Sequence, residues 1–195
     1  MSRRRKPYDY TLDPLPRHIP LLDEEIGLVL RAADELIGVG GRSLLVKILK
    51  GSRDQSILRH NLQHCPVYGV WKNRATEDVA AIVDRVIVAG FLRIQYSGQL
   101  PTLVFTEPGW EWEKRQRVEE FLREWDVWID SNTQPANMEY LKDRNRVMIQ
   151  EFLERVRSTG DPRYIPLLER WAEVDHKKVR ALIKDVVRDL KCLNR

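Results

Sequence analysis

The residues best suited to chemistry lie in one stretch, and the chemistry they suit is anion binding. Lys50-Gly51-Ser52-Arg53 places two cations around a glycine and a hydroxyl. A glycine lets the backbone approach a phosphate closely, and N–H groups beside a hydroxyl and two cations form an anion cradle. Arg59 follows nearby, and Lys72 and Arg74 flank Asn73 just after Trp71. Two readings of Trp71 stand level: its ring stacks on a base or packs against a sugar, or it anchors the core. Tyr96 carries the same choice. It ends a strand-like run beside Ser97-Gly98-Gln99, so its ring either stands exposed near a turn or covers the edge of the core.

Other groupings do not reach a reaction. Gly38-Val39-Gly40-Gly41-Arg42-Ser43 has the glycines of a phosphate loop, but it lacks the Lys–Ser/Thr pair at the needed spacing and follows a helix rather than a strand. It reads as an inter-helix loop. His60 and His64 would share a helical face next to Cys65, yet no second cluster of ligands accompanies them, so no metal is expected. Glu111, Glu113, Glu119, Glu120 and Glu124 read as a solvated helix face rather than a catalytic pair. No nucleophile–base arrangement emerges. The expectation is a binding protein that is not an enzyme and needs no cofactor.

Composition fits that expectation. Hydrophobic residues make up 43% of the 195, enough for a real core, and no apolar run reaches the ~18 residues of a membrane helix. The start, Met1-Ser2-Arg3-Arg4-Arg5-Lys6, is basic without an apolar stretch behind it, unlike a secretory signal. Two cysteines, Cys65 and Cys192, cannot build a disulfide framework and suit a reducing cytoplasm. The expected location is therefore cytoplasmic, at the nucleoid if the chain is bacterial. Net charge is only +4, but it is unevenly spread. Acids dominate Leu22–Leu36 and Trp110–Asp130, whereas Arg42–Arg93 is basic. A basic middle between acidic flanks suggests a local polyanion-binding face, with an ordinary solvated surface as the equal alternative.

The elements that must position these residues follow from periodicity. Residues 1–21 hold Pro7, Pro14, Pro16 and Pro20 among basic side chains and read as an extended arm. Apolar residues at three-to-four spacing predict a helix over Leu22–Ile37, a second opened by Ser43 and closed by Gly51, a third over Asp54–Leu62, and a fourth capped by Thr76 and ended by Gly90. Phe91–Tyr96 and Thr102–Thr106 alternate as strands around a turn, and Pro108-Gly109 stops the second. Helices followed by a hairpin is the order of a winged helix. Beyond it, helices are expected over Trp110–Ile129, Met138–Val156, Arg163–Ala172 and His176–Leu190. The last pair has the look of one HEAT-like unit. Trp125 and Trp128 share a helical face with Phe121 and Leu122, which predicts a packing seam. The expected class is mainly α, with an arm over 1–21, a winged helix over 22–109 and a helical, HEAT-like extension over 110–195.

Three strings in Asp23–Gly109 resemble the RQC domain of RecQ-family helicases. Leu49-Lys50-Gly51-Ser52 is similar to that family's Leu-Arg-Gly-Ser signature. Pro66-Val67-Tyr68-Gly69 followed by Lys72 is similar to its aromatic-Gly, Gly-Lys loop. Ile87–Leu92, a hairpin, and Leu103–Gly109 resemble its wing, which ends in Leu-Thr-x-x-Gly. The resemblance implies phosphate contacts at Lys50 and Ser52, and a wing turn over Tyr96–Leu100, including Gln99 and Leu100, that meets a duplex end or junction. This sequence departs from the pattern at Lys50, where the family has Arg, at Trp71, where it has a second glycine, and at Val79-Ala80-Ala81. The chain carries neither a Walker A loop nor a four-cysteine zinc module. The reading is thus a motor-free module for double-stranded or branched DNA, suited to repair, recombination or replication, with any unwinding supplied by a partner. Structured RNA is one rival ligand. The other rival role is a protein adaptor, with the acidic, tryptophan-rich C-terminal helices docking a helicase or another repair protein.

Overall fold

The computed structural model describes residues 20–97, 100–133, 135, 137–142 and 144–193. Residues 1–19 of the expected arm and the wing-turn residues Gly98 and Gln99 lie outside the described residues, as does the side chain of Leu100. The chain divides into two compact units at Glu113/Lys114.

The first unit runs α1 (Asp23–Asp34), α2 (Arg42–Lys50), α3 (Gln55–Arg59), α4 (Thr76–Val88), then the antiparallel strands β1 (Leu92–Ser97) and β2 (Leu100–Phe105). This is a winged helix. Its core is the apolar stripe of each helix turned inward. Leu30 and Leu36, Leu45, Ile48 and Leu49 of α2, and Val79, Val83 and Val86 of α4 have no exposed surface. Burying each such side chain stabilises the fold by about 1.5–3 kcal/mol. Arg42, at the first position of α2, reaches Asp84 of α4 through two bonds, Nη2 to Oδ2 at 2.7 Å and a shorter one from Nε. Asp84 is buried, so this pair fixes one helix against the other inside the domain.

The glycine-rich loop before α2 serves the wing. Gly40 O accepts from Leu103 N of β2 at 3.1 Å, and a β-carbon on Gly41 would lie 2.4 Å from Pro101 O. Only a glycine fits where two backbones approach so closely. At the other end of the hairpin, Thr106 Oγ1 lies 3.0 Å from the Phe91 carbonyl and accepts from Gly109 N at 3.3 Å.

Helix α5 (Glu107–Asp130) therefore begins at Glu107 rather than Trp110. Pro108 and Gly109 form its first turn, where proline's missing N–H costs nothing. The fourth helix is capped by Ala75, with Thr76 as its first helical residue. The third is cut to one turn by Asn61, whose φ of 56° breaks the helix before a 3-10 turn at Leu62–His64. Likewise α1 ends at Asp34, and Ile37 stands exposed.

The second unit holds the rest of α5, α6 (Arg146–Thr159), α7 (Ile165–Val174) and α8 (Lys177–Leu193). It is a helical extension in which α8 packs against α6 and α7. The helix expected over Met138–Val156 starts only at Arg146. Asn145 caps it, accepting from Val147 N at 2.9 Å and Met148 N at 3.3 Å, while Met138 and Leu141 are buried around a 3-10 turn at Glu139–Leu141. Trp125, Phe152 and Trp171 meet edge to face or tilted, with centroids 4.9–6.0 Å apart, and Trp125 Nε1 donates to Tyr140 Oη at 2.8 Å. Of the predicted packing seam, Phe121 and Trp125 are buried in this aromatic core, while Leu122 and Trp128 are half-buried.

Candidate nucleic-acid interface

The end of α2 is built by a glycine. Gly51 takes φ 68°, Gly51 N donates to Ile48 O at 2.9 Å, and Ser52 N donates to Lys47 O at 2.9 Å. This double bond pattern closes the helix and satisfies its last carbonyls. It also uses the two N–H groups that the cradle reading offers to a phosphate. Ser52 Oγ accepts from Asp54 N at 3.3 Å and so shapes the turn into α3. Asp54 caps α3, accepting from Ser56 N at 2.9 Å. The Ser56 hydroxyl first, then Lys47, hold its carboxyl well below the usual carboxylate range.

The loop from Pro66 to Arg74 lies across this helix end. Gly69 N donates to Ile48 O at 2.8 Å, Trp71 N to Leu49 O at 2.9 Å, and Tyr68 Oη to Ser52 O at 2.9 Å. Lys50 turns its ammonium onto the loop, reaching Lys72 O at 2.9 Å, Trp71 O at 3.4 Å and, more closely, Arg74 O. Three carbonyls thus engage the three donors of one ammonium. Lys50 stitches the loop to the helix end, and its donors are taken up by loop carbonyls.

Trp71 resolves in favour of the core: it retains 6% of its exposure. A ring so covered has no face to offer a base. Arg74 lies over that ring at 4.9 Å and pairs with Glu25 Oε1 at 2.9 Å, tying the loop back to α1. His60 and His64 are exposed and, with the helix broken between them, do not share a helical face. Among the described residues no cluster of His, Cys, Asp or Glu could hold a metal ion. The buried Cys65 thiol is pushed up by desolvation.

What remains outward is a set of cations. Arg53, Arg59 and Lys72 are exposed, and no ion pair engages them among the described residues. Arg93 of β1 joins them. It was visible only as a charge in the sequence, although period two along β1 places it with Gln95 on the face opposite Leu92 and Ile94. On the inward face burial fades toward the turn: Leu92 is buried, Ile94 is half-buried, and Tyr96, opposite Pro101, is 54% exposed.

Helix α4 occupies the place just before the wing, and its exposed first turn carries Glu77 and Asp78. Two acids at a helix N-terminus favour the helix through its dipole but repel a phosphate backbone. The cations around α3 and the loop suit a polyanion, whereas the α4 tip does not.

The family model of the RQC domain matches residues 23–123, more than half of the chain. The chain belongs to the RQC domain family. No curated protein and no solved structure matches it. RQC domains are non-catalytic winged-helix domains that bind DNA in RecQ helicases. The match runs from α1 through the hairpin into α5, so it contains both the seam and the wing. Within this RQC domain the signature strings resolve into structural partners: the Leu-Lys-Gly-Ser end of α2 and the aromatic-Gly loop bond to each other, and the closing Thr-x-x-Gly braces the wing. Among the described residues no helix is long and apolar enough to cross a membrane.

Proposed function

We propose that the RQC domain of this chain binds double-stranded or branched DNA through its phosphate backbone, and that the chain does so without catalysing a reaction of its own. The observation that carries the reading is the outward set of Arg53, Arg59 and Lys72, set on a seam whose inner donors are already satisfied. Exposed cations with no acid partner among the described residues neutralise phosphates directly. They carry no base-reading geometry, so binding is insensitive to sequence. Acids at the tip of α4 oppose insertion of that helix into a groove. The exposed ring of Tyr96 supplies a second contact, flat and apolar, suited to the terminal pair of a duplex end or fork.

The test is a binding panel of single-stranded, blunt, forked and closed duplex DNA, with matched structured RNA, at several salt concentrations. The expected result is affinity for every duplex form, falling steeply with salt and little changed by sequence, with a preference for ends and forks. Equal binding of folded RNA would move the ligand class. No salt-dependent nucleic-acid binding at all would leave the adaptor role as the alternative.

A further inference from the structure

The last helix carries a second cationic face that the acidic reading of the C-terminal region overlooks. Helix α8 holds six basic residues and two acids, Asp185 and Asp189. At 3.6 residues per turn, Lys177, Lys184, Arg188 and Lys191 fall on one stripe within an arc of about 60°. All four are exposed. Ile183, Val186 and Leu190 on the opposite side are buried. The stripe extends about 21 Å along the helix.

We propose that this face of α8 is a binding surface for the phosphate backbone of nucleic acid, separate from the surface of the RQC domain and independent of that reading. Four observations favour this occupant. Lys177, Lys178 and Lys184 have no acid partner among the described residues. The pairs that do form, Arg188 Nη2 to Asp185 Oδ1 and Lys191 Nζ to Glu169 Oε1, each at 2.9 Å, and a looser one from Arg188 Nε to Asp189 Oδ1 at 3.9 Å, join side chains that are 41% exposed or more. Exposed pairs of this kind are worth at most about 1 kcal/mol and exchange readily for a phosphate. Lys177 and Lys178 also stand in the first turn of α8, which has no acid. Cations there oppose the helix dipole, so the helix's own stability does not explain them. The face carries only Ala181 between its cations and no bulky apolar side chain. A helix that lies in a bilayer surface or docks on a partner helix needs such side chains, whereas a polyphosphate backbone does not.

The experiment uses the full chain with Lys177→Gln, Lys184→Gln and Arg188→Gln combined, a Lys→Arg version of the two lysine positions as the charge-keeping control, and Arg53→Gln with Arg59→Gln as the separate RQC-domain variant. Binding to a short duplex is followed against salt, and thermal melting reports folding. The α8 triple variant is expected to melt normally, to bind roughly tenfold more weakly, and to show a salt slope shallower by about two to three units, with the arginine version unchanged. That loss should persist in the Arg53/Arg59 background. Unchanged affinity and slope in the triple variant would overturn the proposal, even if the Arg53/Arg59 variant lost binding. Loss of binding to phosphatidylglycerol vesicles or to polyglutamate, with duplex binding intact, would also overturn it and assign the face to a membrane or an acidic protein. Loss confined to the α8 variant would uphold it and defeat the RQC-domain reading instead.

Discussion

Gly51 and Gly69 face each other across the seam, each with a left-handed backbone, φ 68° and φ 70°, and a β-carbon on Gly51 would lie 2.9 Å from the Gly69 α-carbon. They belong to two different signature strings, and their contact is the reason both strings need a glycine. Gly51→Ala should cost about 1–2 kcal/mol from the left-handed backbone alone, with more from the displaced loop. Urea unfolding of the single variant measures it. A stability equal to the parent's would mean the loop does not sit on the helix end.

Lys50 and Arg53 are near neighbours in different settings, Lys50 bonded to three loop carbonyls and Arg53 exposed. Lys50→Met removes the donors that hold three loop carbonyls and should destabilise the domain by about 1–3 kcal/mol while leaving the salt slope of DNA binding unchanged. Arg53→Gln combined with Arg59→Gln should do the reverse: unchanged melting, and a slope shallower by roughly one unit per lost phosphate contact. If Lys50→Met flattened the slope without a stability loss, its ammonium would have to face the phosphate after all.

The contact proposed for Tyr96 predicts a difference between duplex ends and interiors. The exposure of the ring predicts that Tyr96→Ala melts like the parent yet loses about 1–3 kcal/mol of affinity for blunt ends and forks, with binding to closed duplex nearly constant. A uniform loss on every DNA form, accompanied by a lower melting temperature, would place the ring in the core edge.

Asp84 tests the internal brace. Asp84→Ala takes from Arg42 the carboxylate it meets at a position only 22% exposed, and should cost about 3–5 kcal/mol. The double variant Arg42→Met with Asp84→Leu should recover much of that loss, because an apolar pair has no charge to desolvate. Chemical denaturation of the two variants beside the parent measures both effects.

Periodicity and turn residues made the winged helix legible in advance. The stripe of α4, the alternation of Phe91–Tyr96 and the closing glycines each acted locally, within a few residues. The interface was legible only in part. Leu49–Ser52 and Pro66–Gly69 were readable as two strings, but their bonding to each other is tertiary and leaves no mark in either. The direction of the Lys50 ammonium, the burial of Trp71 and the Arg74–Glu25 pair share that origin. Asn145 is different: an Asn before Arg146-Val147-Met148 is a capping signal that local reading could have used. The face of α8 was equally open to a helical wheel, and was masked by the acids of a neighbouring stretch.

The wing is held along its length, by the loop before α2 as far out as Pro101, which lies opposite Tyr96, and at its root by the first turn of α5. Leu103 is bonded to the loop before α2, Pro101 is wedged against Gly41, and Gly109 sits so close to the Phe91 carbonyl that a β-carbon would fall 1.9 Å from it. Mechanically this makes the hairpin a beam braced along β2 as well as at its base. A force applied near Tyr96 by a duplex end is carried into the helical body through the loop before α2 and the first turn of α5, and the strands themselves have little freedom to bend away. A strand braced in this way has little backbone ordering left to do, so a contact made by its described residues would cost little entropy.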